Sequence, residues 1–504
     1  MSNPAPADEH LGARLALALI LGSAHGLSFS PLTSGSAQIM FFALTWSLVI
    51  GIGPWPAVAR ARSATLIGAV FGLGHFAVGI GWLYISMHDI GGLPAALAVL
   101  AVLLLSAYLA VFGATAFGFA HRVGEGGRRP LRMLVALVAA WVLGEWLRHR
   151  LFTGFPWLAI GYAHVDSWLA GLAPWLGVAG VGAAAVTIAA ALAQLPASLI
   201  SRRDARAGGL PVLLLAPVLI GLALLAGQSR FTQDAGQPLR LRLLQGNVPQ
   251  AMKFDPNRAV RAMNDYIALT AAAPADLVVF PETAFTVPMS SIPPAIMDRL
   301  RAAADAAGAL VSVGIPAPLD EQEQRRQPRA TLTNSVLTID RQGQVVHRYD
   351  KRHLVPFGEF VPSGFRWFVD MMNIPLGDFG RGRMSQPPLL VAGTAVAFNI
   401  CYEDLFGDEL RHQVLDGAGM LINVSNIGWF GRSHALTQHL EHFTDALELG
   451  RPMLAPPIPV PPRPSLPTAA CWPACPTTRP ARWPSSCVAA AGSRLMRAGE
   501  TGPC

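Results

Sequence analysis

Charge is scarce in this chain. Only 14% of its 504 residues are Asp, Glu, Lys or Arg, against about 25% in a soluble globular protein. Hydrophobic residues make up 52%, and the mean hydropathy is +0.40. A chain that faces water throughout is excluded. Cysteine is scarcer still. Four of the five cysteines lie beyond residue 470, which leaves Cys401 alone in the body of the chain. A disulfide framework or a cysteine-built zinc site therefore has no material there. His353, His434, His439 and His442 fit no zinc spacing, so neither a metal nor any other cofactor is expected. The net charge of +7 is mostly arginine set in short loops between apolar stretches. No basic patch interleaves with aromatics, which argues against a nucleic-acid partner.

What is present is divided in two. Residues 12 to 230 form nearly continuous apolar stretches, and 237 to 450 read as an ordinary soluble domain. A helix needs about 20 apolar residues to cross a bilayer. Seven segments qualify as candidates: 12–30, 37–58, 64–86, 92–120, 131–148, 167–199 and 210–228. The fourth and sixth exceed the requirement, which implies tilt, a kink or extension beyond the membrane. The first lacks a cleavage pattern and is followed by more spans, so it is not a removable leader. Arg60 and Arg62, then Arg122, Arg128, Arg129 and Arg132, then Arg202, Arg203 and Arg206 occupy alternate loops; Arg148 and Arg150 are the exception. The positive-inside rule makes those loops cytoplasmic. The soluble domain is then expected on the outer face, periplasmic in a bacterium. Glu145 near the end of the fifth segment is either functional, as intramembrane carboxylates often are, or an interfacial partner of Arg148. Gly154-Phe-Pro-Trp-Leu158 reads as the mouth of a lipid-facing cavity or as an aromatic anchor.

In the soluble half, strands alternate with helices, the pattern of an α/β sandwich. Expected strands are 239–244, 276–283, 310–315, a hairpin of 334–339 and 344–349, the run ending at Cys401, and 420–425. Expected helices are 257–272, 293–307, 407–415 and 433–449. Three strand ends stand out. Asp276-Leu-Val-Val-Phe-Pro-Glu-Thr283 delivers Glu282. The hairpin delivers Lys351 in Tyr349-Asp-Lys-Arg-His-Leu-Val-Pro-Phe-Gly-Glu-Phe-Val-Pro362. Ala397-Phe-Asn-Ile-Cys-Tyr-Glu-Asp404 delivers Cys401. Active sites of α/β folds collect at carboxyl ends of strands. A thiol needs a base to become a nucleophile, and a lysine beside it can stabilise an oxyanion. Each residue also has a plain alternative: Glu282 as a helix cap, Lys351 as a solvated side chain, Glu359 as a partner of Arg352, and Cys401 as buried packing.

These motifs together resemble the nitrilase superfamily, whose triad is Glu-Lys-Cys. With seven preceding spans they resemble its membrane-anchored branch, the apolipoprotein N-acyltransferases, over residues 12 to about 454. The resemblance implies a multi-span α-helical membrane domain (1–236) followed by an α/β nitrilase-like αββα sandwich domain (237–454). It implies Glu282 as general base, Lys351 as oxyanion stabiliser and Cys401 as a nucleophile that becomes a thioester. Glu359 then orients Lys351 or assists proton movement, Tyr402 offers its backbone N–H to an oxyanion, and Glu403 matches the acidic residue two after the nucleophile. The implied substrates are a phospholipid acyl donor and a diacylglyceryl apolipoprotein acceptor, both held in the bilayer of the bacterial inner membrane. A membrane-anchored nitrilase or amidase acting on a small periplasmic C–N substrate is the alternative. Phe357 to Pro362 and Phe365 to Leu376, with Trp367, Phe368, Met371 and Met372, are expected as lipid-touching lids or as packing. Asn426-Ile-Gly-Trp-Phe-Gly431 is expected as a pocket loop.

Composition breaks after Leu454. Residues 452 to 504 hold 13 of the 41 prolines and four of the five cysteines. No strand or helix pattern and no run of 18 apolar residues is visible, so the sandwich's further strands and the family's eighth span are not expected in 455–504. That stretch reads as a shifted frame or a Pro-rich tail, and Cys471, Cys475, Cys487 and Cys504 as no disulfide or zinc set.

Overall fold

The computed structural model describes residues 10–29, 34–51, 56–194, 210–229, 231–233, 238–245, 253, 255–362, 364–369, 378–431, 448–455 and 468–472. The expected helix 433–449, the arginines at 202, 203 and 206, the histidines at 434, 439 and 442, and Met371, Met372 and Leu376 fall outside these, apart from residues 448 and 449 of that helix. The chain divides into two compact units, residues 1–84 with 94–229 and 437–444, and residues 85–93 with 230–436 and 445–504.

In the first unit, helices stand at all seven expected places. Among the described residues, four are long and apolar enough to cross a membrane: Ala61–Gly79, Ala95–Val123, Pro130–Arg148 and Trp168–Ala193. Leu11–Leu27 and Gly35–Ile50 are apolar but shorter, at 17 and 16 residues, as is Leu210–Ala226. The expected count of seven full-length spans is thus met by four by length. The sixth segment is broken at Gly177, whose φ of 67° leaves the helical region, a conformation glycine adopts without steric cost. The fifth carries Glu145 and Arg148, both buried. Glu145 accepts the Ile160 N–H at 2.9 Å and the Trp141 indole N–H at 3.2 Å. Arg148 donates to the carbonyls of Trp157 at 2.5 Å and Phe155 at 3.1 Å. Arg148 therefore holds the Gly154–Leu158 loop by its carbonyls, and Glu145 holds the chain two residues beyond it. Trp157 and Leu158 are buried, with Trp157 packed on Trp82 at 5.0 Å between ring centroids. Of the two readings of this loop, cavity mouth or aromatic anchor, an anchor through Trp157 does not fit its burial, because satisfied carbonyls let the loop enter the interior.

The second unit is a sandwich of two sheets. The first runs β11(Thr468–Trp472)-β1(Leu241–Gln245)-β2(Leu277–Val279)-β3(Leu310–Pro318)-β4(Leu332–Ile339)-β5(Val345–Asp350), with β6(Phe379–Gly380) also paired to β4. The second runs β10(Met453–Leu454)-β9(Met420–Val424)-β8(Thr394–Ile400)-β7(Leu389–Val391). Strand side chains alternate between faces, and the core follows that period. Leu241, Leu243, Leu277, Val279 and Val336 point toward Val396, Phe398, Ile400, Ile422 and Val424 of the other sheet. Their neighbours Leu244, Val278, Val311 and Val313 point outward, under helices Pro256–Ala271 and Pro294–Ala307. These helices present Met263, Tyr266 and Ile267, and Ile296, Leu300 and Ala304, at helical spacing. Helix Gly407–Leu415 covers the second sheet, its Gln413 amide donating to the Phe398 carbonyl at 2.9 Å.

β11 overturns the expectation of no strand after residue 452. Thr468-Ala-Ala-Cys-Trp472 pairs antiparallel along β1, Leu241 opposite Trp472. Pro467 and Pro473 bound it, so a five-residue stretch free of proline supplies backbone donors to an edge that β1 otherwise leaves open. Its two alanines hide the alternation on which a strand is read.

Candidate active site

Three strand ends converge at one end of the sandwich. Lys351 immediately follows β5, and its N–H donates to the Asn334 carbonyl of β4 at 2.8 Å. Cys401 immediately follows β8 and opens the turn Cys401–Leu405. Glu282 lies three residues beyond β2, where the chain keeps running beside β3 through Phe280 N–H to Ser312 O and Phe285 N–H to Gly314 O. Gly314 permits that approach: a Cβ there would lie 2.2 Å from the Pro281 carbonyl oxygen and 2.8 Å from the Glu282 Cα. No side chain fits, so glycine sets the depth at which Glu282 enters.

Cys401 has a φ of 57° and Thr283, beside Glu282, a φ of 50°. A residue with a Cβ in this region costs about 1–3 kcal/mol and persists only when its surroundings hold it. Here the surroundings are explicit. The Asn423 amide donates to the Cys401 carbonyl at 2.7 Å. Glu403, two residues on, accepts the Ile400 N–H at 2.7 Å, the Arg352 N–H at 2.6 Å, the His353 N–H at 2.9 Å and the Tyr349 hydroxyl at 2.9 Å. One buried carboxylate thus ties the strand that ends at Cys401 to the segment that follows Lys351. Tyr402 is buried, and its hydroxyl donates to the Leu354 carbonyl at 3.5 Å. His353 stacks on Phe406 at 3.5 Å and reaches Glu409 at 3.1 Å.

Glu282, Lys351 and Glu359 form a buried cluster, 6%, 1% and 5% exposed. The Lys351 ammonium lies 2.9 Å from Glu359 Oε1 and 3.4 Å from Glu282 Oε1. The Asn334 amide donates to both carboxylates, at 2.8 Å to Glu282 and 2.7 Å to Glu359. The second oxygens are held by backbone: Asn426 N–H on Glu282 at 2.7 Å and Val355 N–H on Glu359 at 2.8 Å. The expected pocket loop Asn426–Gly431 thus reaches the cluster through its first N–H. Glu359 touches Lys351, and the alternative pairing with Arg352 is not the bond seen.

Charge in a dry pocket sets the protonation states. Burial works against a charged Lys351, but the Glu359 and Glu282 carboxylates outweigh it and hold its pKa well above the ordinary lysine value. Burial works against an ionised Glu282, but Lys351 and the Asn334 amide overcome it and hold the carboxyl below its ordinary value. Burial and the Glu282 charge push the Cys401 thiol well up, with Lys351 opposing. The resting arrangement is an ionised carboxylate, an ammonium and a protonated thiol. Such a set can take a proton from sulfur and then stabilise negative charge that develops nearby.

Three contributors escaped the sequence reading. Asn334 and Asn423 sit inside strands, where nothing in the local pattern separates a structural amide from one serving a site. Lys253 is buried, and its ammonium donates to the Glu282 backbone carbonyl at 3.0 Å. A count of lysines would have found it, since the chain has two, Lys253 and Lys351.

The two halves match two families. The apolipoprotein N-acyltransferase N-terminal domain matches residues 21–191, and the carbon-nitrogen hydrolase family matches residues 240–456. The chain is 44% identical over 449 residues to an apolipoprotein N-acyltransferase of Ralstonia nicotianae, covering 87% of this chain and 80% of the relative. It is 42% identical over 474 residues to that of Bordetella bronchiseptica, covering 86% and 84%. To that of Chromobacterium violaceum it is 40% identical over 397 residues, covering 78% and 73%. With a membrane-type helical half joined to a carbon-nitrogen hydrolase sandwich, and with relatives this similar over most of both chains, the chain belongs to the apolipoprotein N-acyltransferase family.

Proposed function

We propose that this protein transfers an acyl chain from a membrane phospholipid to the N-terminal amine of a diacylglyceryl-cysteine lipoprotein, through a thioester on Cys401. Glu282 takes the proton from Cys401 Sγ as the sulfur attacks the ester carbonyl of the lipid. The tetrahedral oxyanion is met by the Lys351 ammonium and the Tyr402 backbone N–H. Collapse breaks the ester C–O bond, and the departing alkoxide takes the proton held by Glu282. The amine of the lipoprotein then attacks the thioester, gives its proton to Glu282, and the thiolate leaves and is reprotonated. Glu359 and Asn334 hold Lys351 and Glu282 in place, and Glu403 fixes the Cys401 turn. A two-step transfer through an acyl-enzyme divides one difficult step into two easier ones.

The observation that supports this reading most is the burial of Glu282, Lys351 and Glu359 in mutual contact beside a half-buried free thiol. Both substrates carry chains that stay in a bilayer. The exposed rings of Phe365 and Trp367, 45% and 62% exposed, are suited to meet it. In this reading residues 1–236 are the membrane domain of an inner-membrane protein, 237–454 the catalytic domain on the periplasmic side, and 455–504 a tail that adds one edge strand, β11, to that domain.

The test uses the full chain in detergent with an alkyne-bearing phospholipid. Hydroxylamine-sensitive label on Cys401 that moves to a diacylglyceryl lipopeptide on addition, and that is absent from Cys401→Ser, is the expected result. Release of ammonia from small amides with no label on Cys401 would sink it in favour of hydrolysis.

A further inference from the structure

Basic residues in this chain are arginine almost without exception: 36 of the 38, leaving Lys253 and Lys351 as the lysines. Both are buried, at 8% and 1% exposure, and both are bonded to Glu282, one to its backbone carbonyl and one to its carboxylate. Arginine fills buried positions elsewhere, at Arg14, Arg148 and Arg242, so what sets the two lysines apart is their shared attachment to Glu282.

Lys351 alone leaves the pocket short of positive charge. Glu282 and Glu359 carry two negative charges against its one. Transfer of the Cys401 proton to Glu282 moves one of those charges to sulfur and leaves the imbalance in place. Among the described residues the Lys253 ammonium makes one hydrogen bond, to a neutral carbonyl, so its charge is not spent on a contacting carboxylate. It acts electrostatically on both Glu282 and Cys401. The other groups facing the thiol are Glu282, Glu359 and Asp404, which oppose its ionisation, and Lys351, which favours it.

We infer that Lys253 is a positioning residue for the reaction: anchored on the Glu282 carbonyl, its ammonium supplies the second positive charge that lets the pocket hold a deprotonated Cys401 beside the Glu359 side chain. When the thiol proton passes to Glu282, the negative charge moves from oxygen to sulfur. Two ammonium groups then face the thiolate and Glu359, and the pocket stays neutral overall. Without Lys253 the same step leaves it one charge negative in a buried place. Burial lowers the Lys253 pKa to about 8, with Glu282 and Cys401 opposing, so the charge is present at neutral pH.

The inference rests on the reading of Cys401 as nucleophile, but its test reads the thiol directly. The full-length protein is alkylated with iodoacetamide between about pH 7 and pH 9, where rate follows thiolate fraction. Mass spectrometry separates the Cys401 peptide from the cysteines of the tail. Lys253→Met removes charge and donor; Lys253→Gln keeps a donor for the Glu282 carbonyl and removes the charge. Both are expected to alkylate Cys401 about tenfold or more slowly near pH 7, since a facing charge moves a pKa by about one unit or more, and the gap is expected to narrow toward pH 9 as Lys253 of the parent loses its own proton near pH 8. Lys253→Arg, which keeps the charge, is expected to stay within about threefold of the parent. Parent-like rates in the Gln variant, or a loss in Arg equal to that in Met, would overturn the inference. Should the Met variant fail to fold, the Gln and Arg pair decides alone. An active Cys401→Ser would defeat the reading of the nucleophile and leave the alkylation result standing.

Discussion

Glu359→Gln separates a charge from a shape. Glu359 receives three donors: the Lys351 ammonium and the Asn334 amide on Oε1, and the Val355 N–H on Oε2. Glutamine offers one oxygen and an NH2, so at least one of those donors must face another donor. A buried donor left unpaired costs about 1–3 kcal/mol. Removing the charged partner of a buried cation costs about 3–5 kcal/mol when nothing remains, but Lys351 keeps Glu282. The expected destabilisation is therefore about 3 kcal/mol, from the lower end of that range. The kinetic effect follows from where Lys351 goes. Freed from Glu359 at 2.9 Å, it closes the 3.4 Å gap to Glu282. A tighter ammonium lowers the carboxylate's proton affinity by about one to three units, which weakens the base that the proposed mechanism assigns to the thiol proton. The midpoint is about a 100-fold slower acylation, or about 2.7 kcal/mol of barrier. Single-turnover formation of the Cys401 thioester from an alkyne-bearing phospholipid, with the enzyme in excess, measures that step. A folded Glu359→Gln protein that acylates within about threefold of the parent rate would show that Glu359 does not restrain Lys351, and the reasoning fails.

Gly314→Ala forces the Glu282 backbone away from β3, because the added Cβ lies 2.8 Å from the Glu282 Cα; a shift approaching 1 Å at a catalytic group costs about 100-fold, read as kcat with the fold intact by circular dichroism. Glu403 has its carboxyl pushed from 4.5 to about 7 by burial. A raised carboxyl pKa favours the folded state below about pH 4.5, and that contribution is lost as pH rises through about 7, by about 3 kcal/mol in all. Thermal unfolding across that window should fall with pH in the parent and show a flatter profile in Glu403→Gln; equal slopes would refute the assignment. Glu145→Ala leaves the Ile160 N–H without its acceptor and Arg148 without its carboxylate at 3.9 Å; a loss of about 3 kcal/mol or more in stability is expected, with acylation per folded molecule unchanged. A selective loss of acylation without loss of stability would instead make Glu145 functional.

Much of the sandwich was legible because burial on both faces of a strand leaves a continuous apolar run. Leu277–Val279 and residues 420–422 are such runs, and the helix Pro294–Ala307 packed outside the first shows helical spacing of Ile296, Leu300 and Ala304. The ends of those runs were legible for the same reason, since a carboxylate, an ammonium or a thiol stands out where hydrophobicity stops. What stayed hidden was whatever lacks that contrast. β11 is two alanines between a threonine and a cysteine, and its pairing partner lies more than 200 residues away. Asn334 and Asn423 lie within buried strands and serve the site through amides that no period marks. Gly154–Leu158 looked like a surface feature because aromatics and proline favour interfaces. Its burial depends on the Arg148 guanidinium, one helix earlier, which donates to the Phe155 and Trp157 carbonyls.

The same contrast explains why the site assembles with so much charge in so dry a place. Isolated, each of Glu282, Lys351, Glu359 and Glu403 is unaffordable in an interior, since a buried charge without partners is strongly unfavourable. Together each finds partners that the strands already place: Asn334 from β4 on two carboxylates at once, Asn426 and Val355 through backbone N–H groups, and Ile400, Arg352 and His353 on Glu403. The fold's strand ends supply backbone donors, and the carboxylates consume them. The cluster is therefore intolerant of single replacements in a way that packing residues are not, because each of Glu282, Lys351, Glu359 and Asn334 is bonded to two of the others. That interdependence fixes Cys401 in its left-handed turn and holds Lys351 between two carboxylates in the resting state. In the proposed mechanism, negative charge that develops on the acyl carbonyl would meet an ammonium already in position.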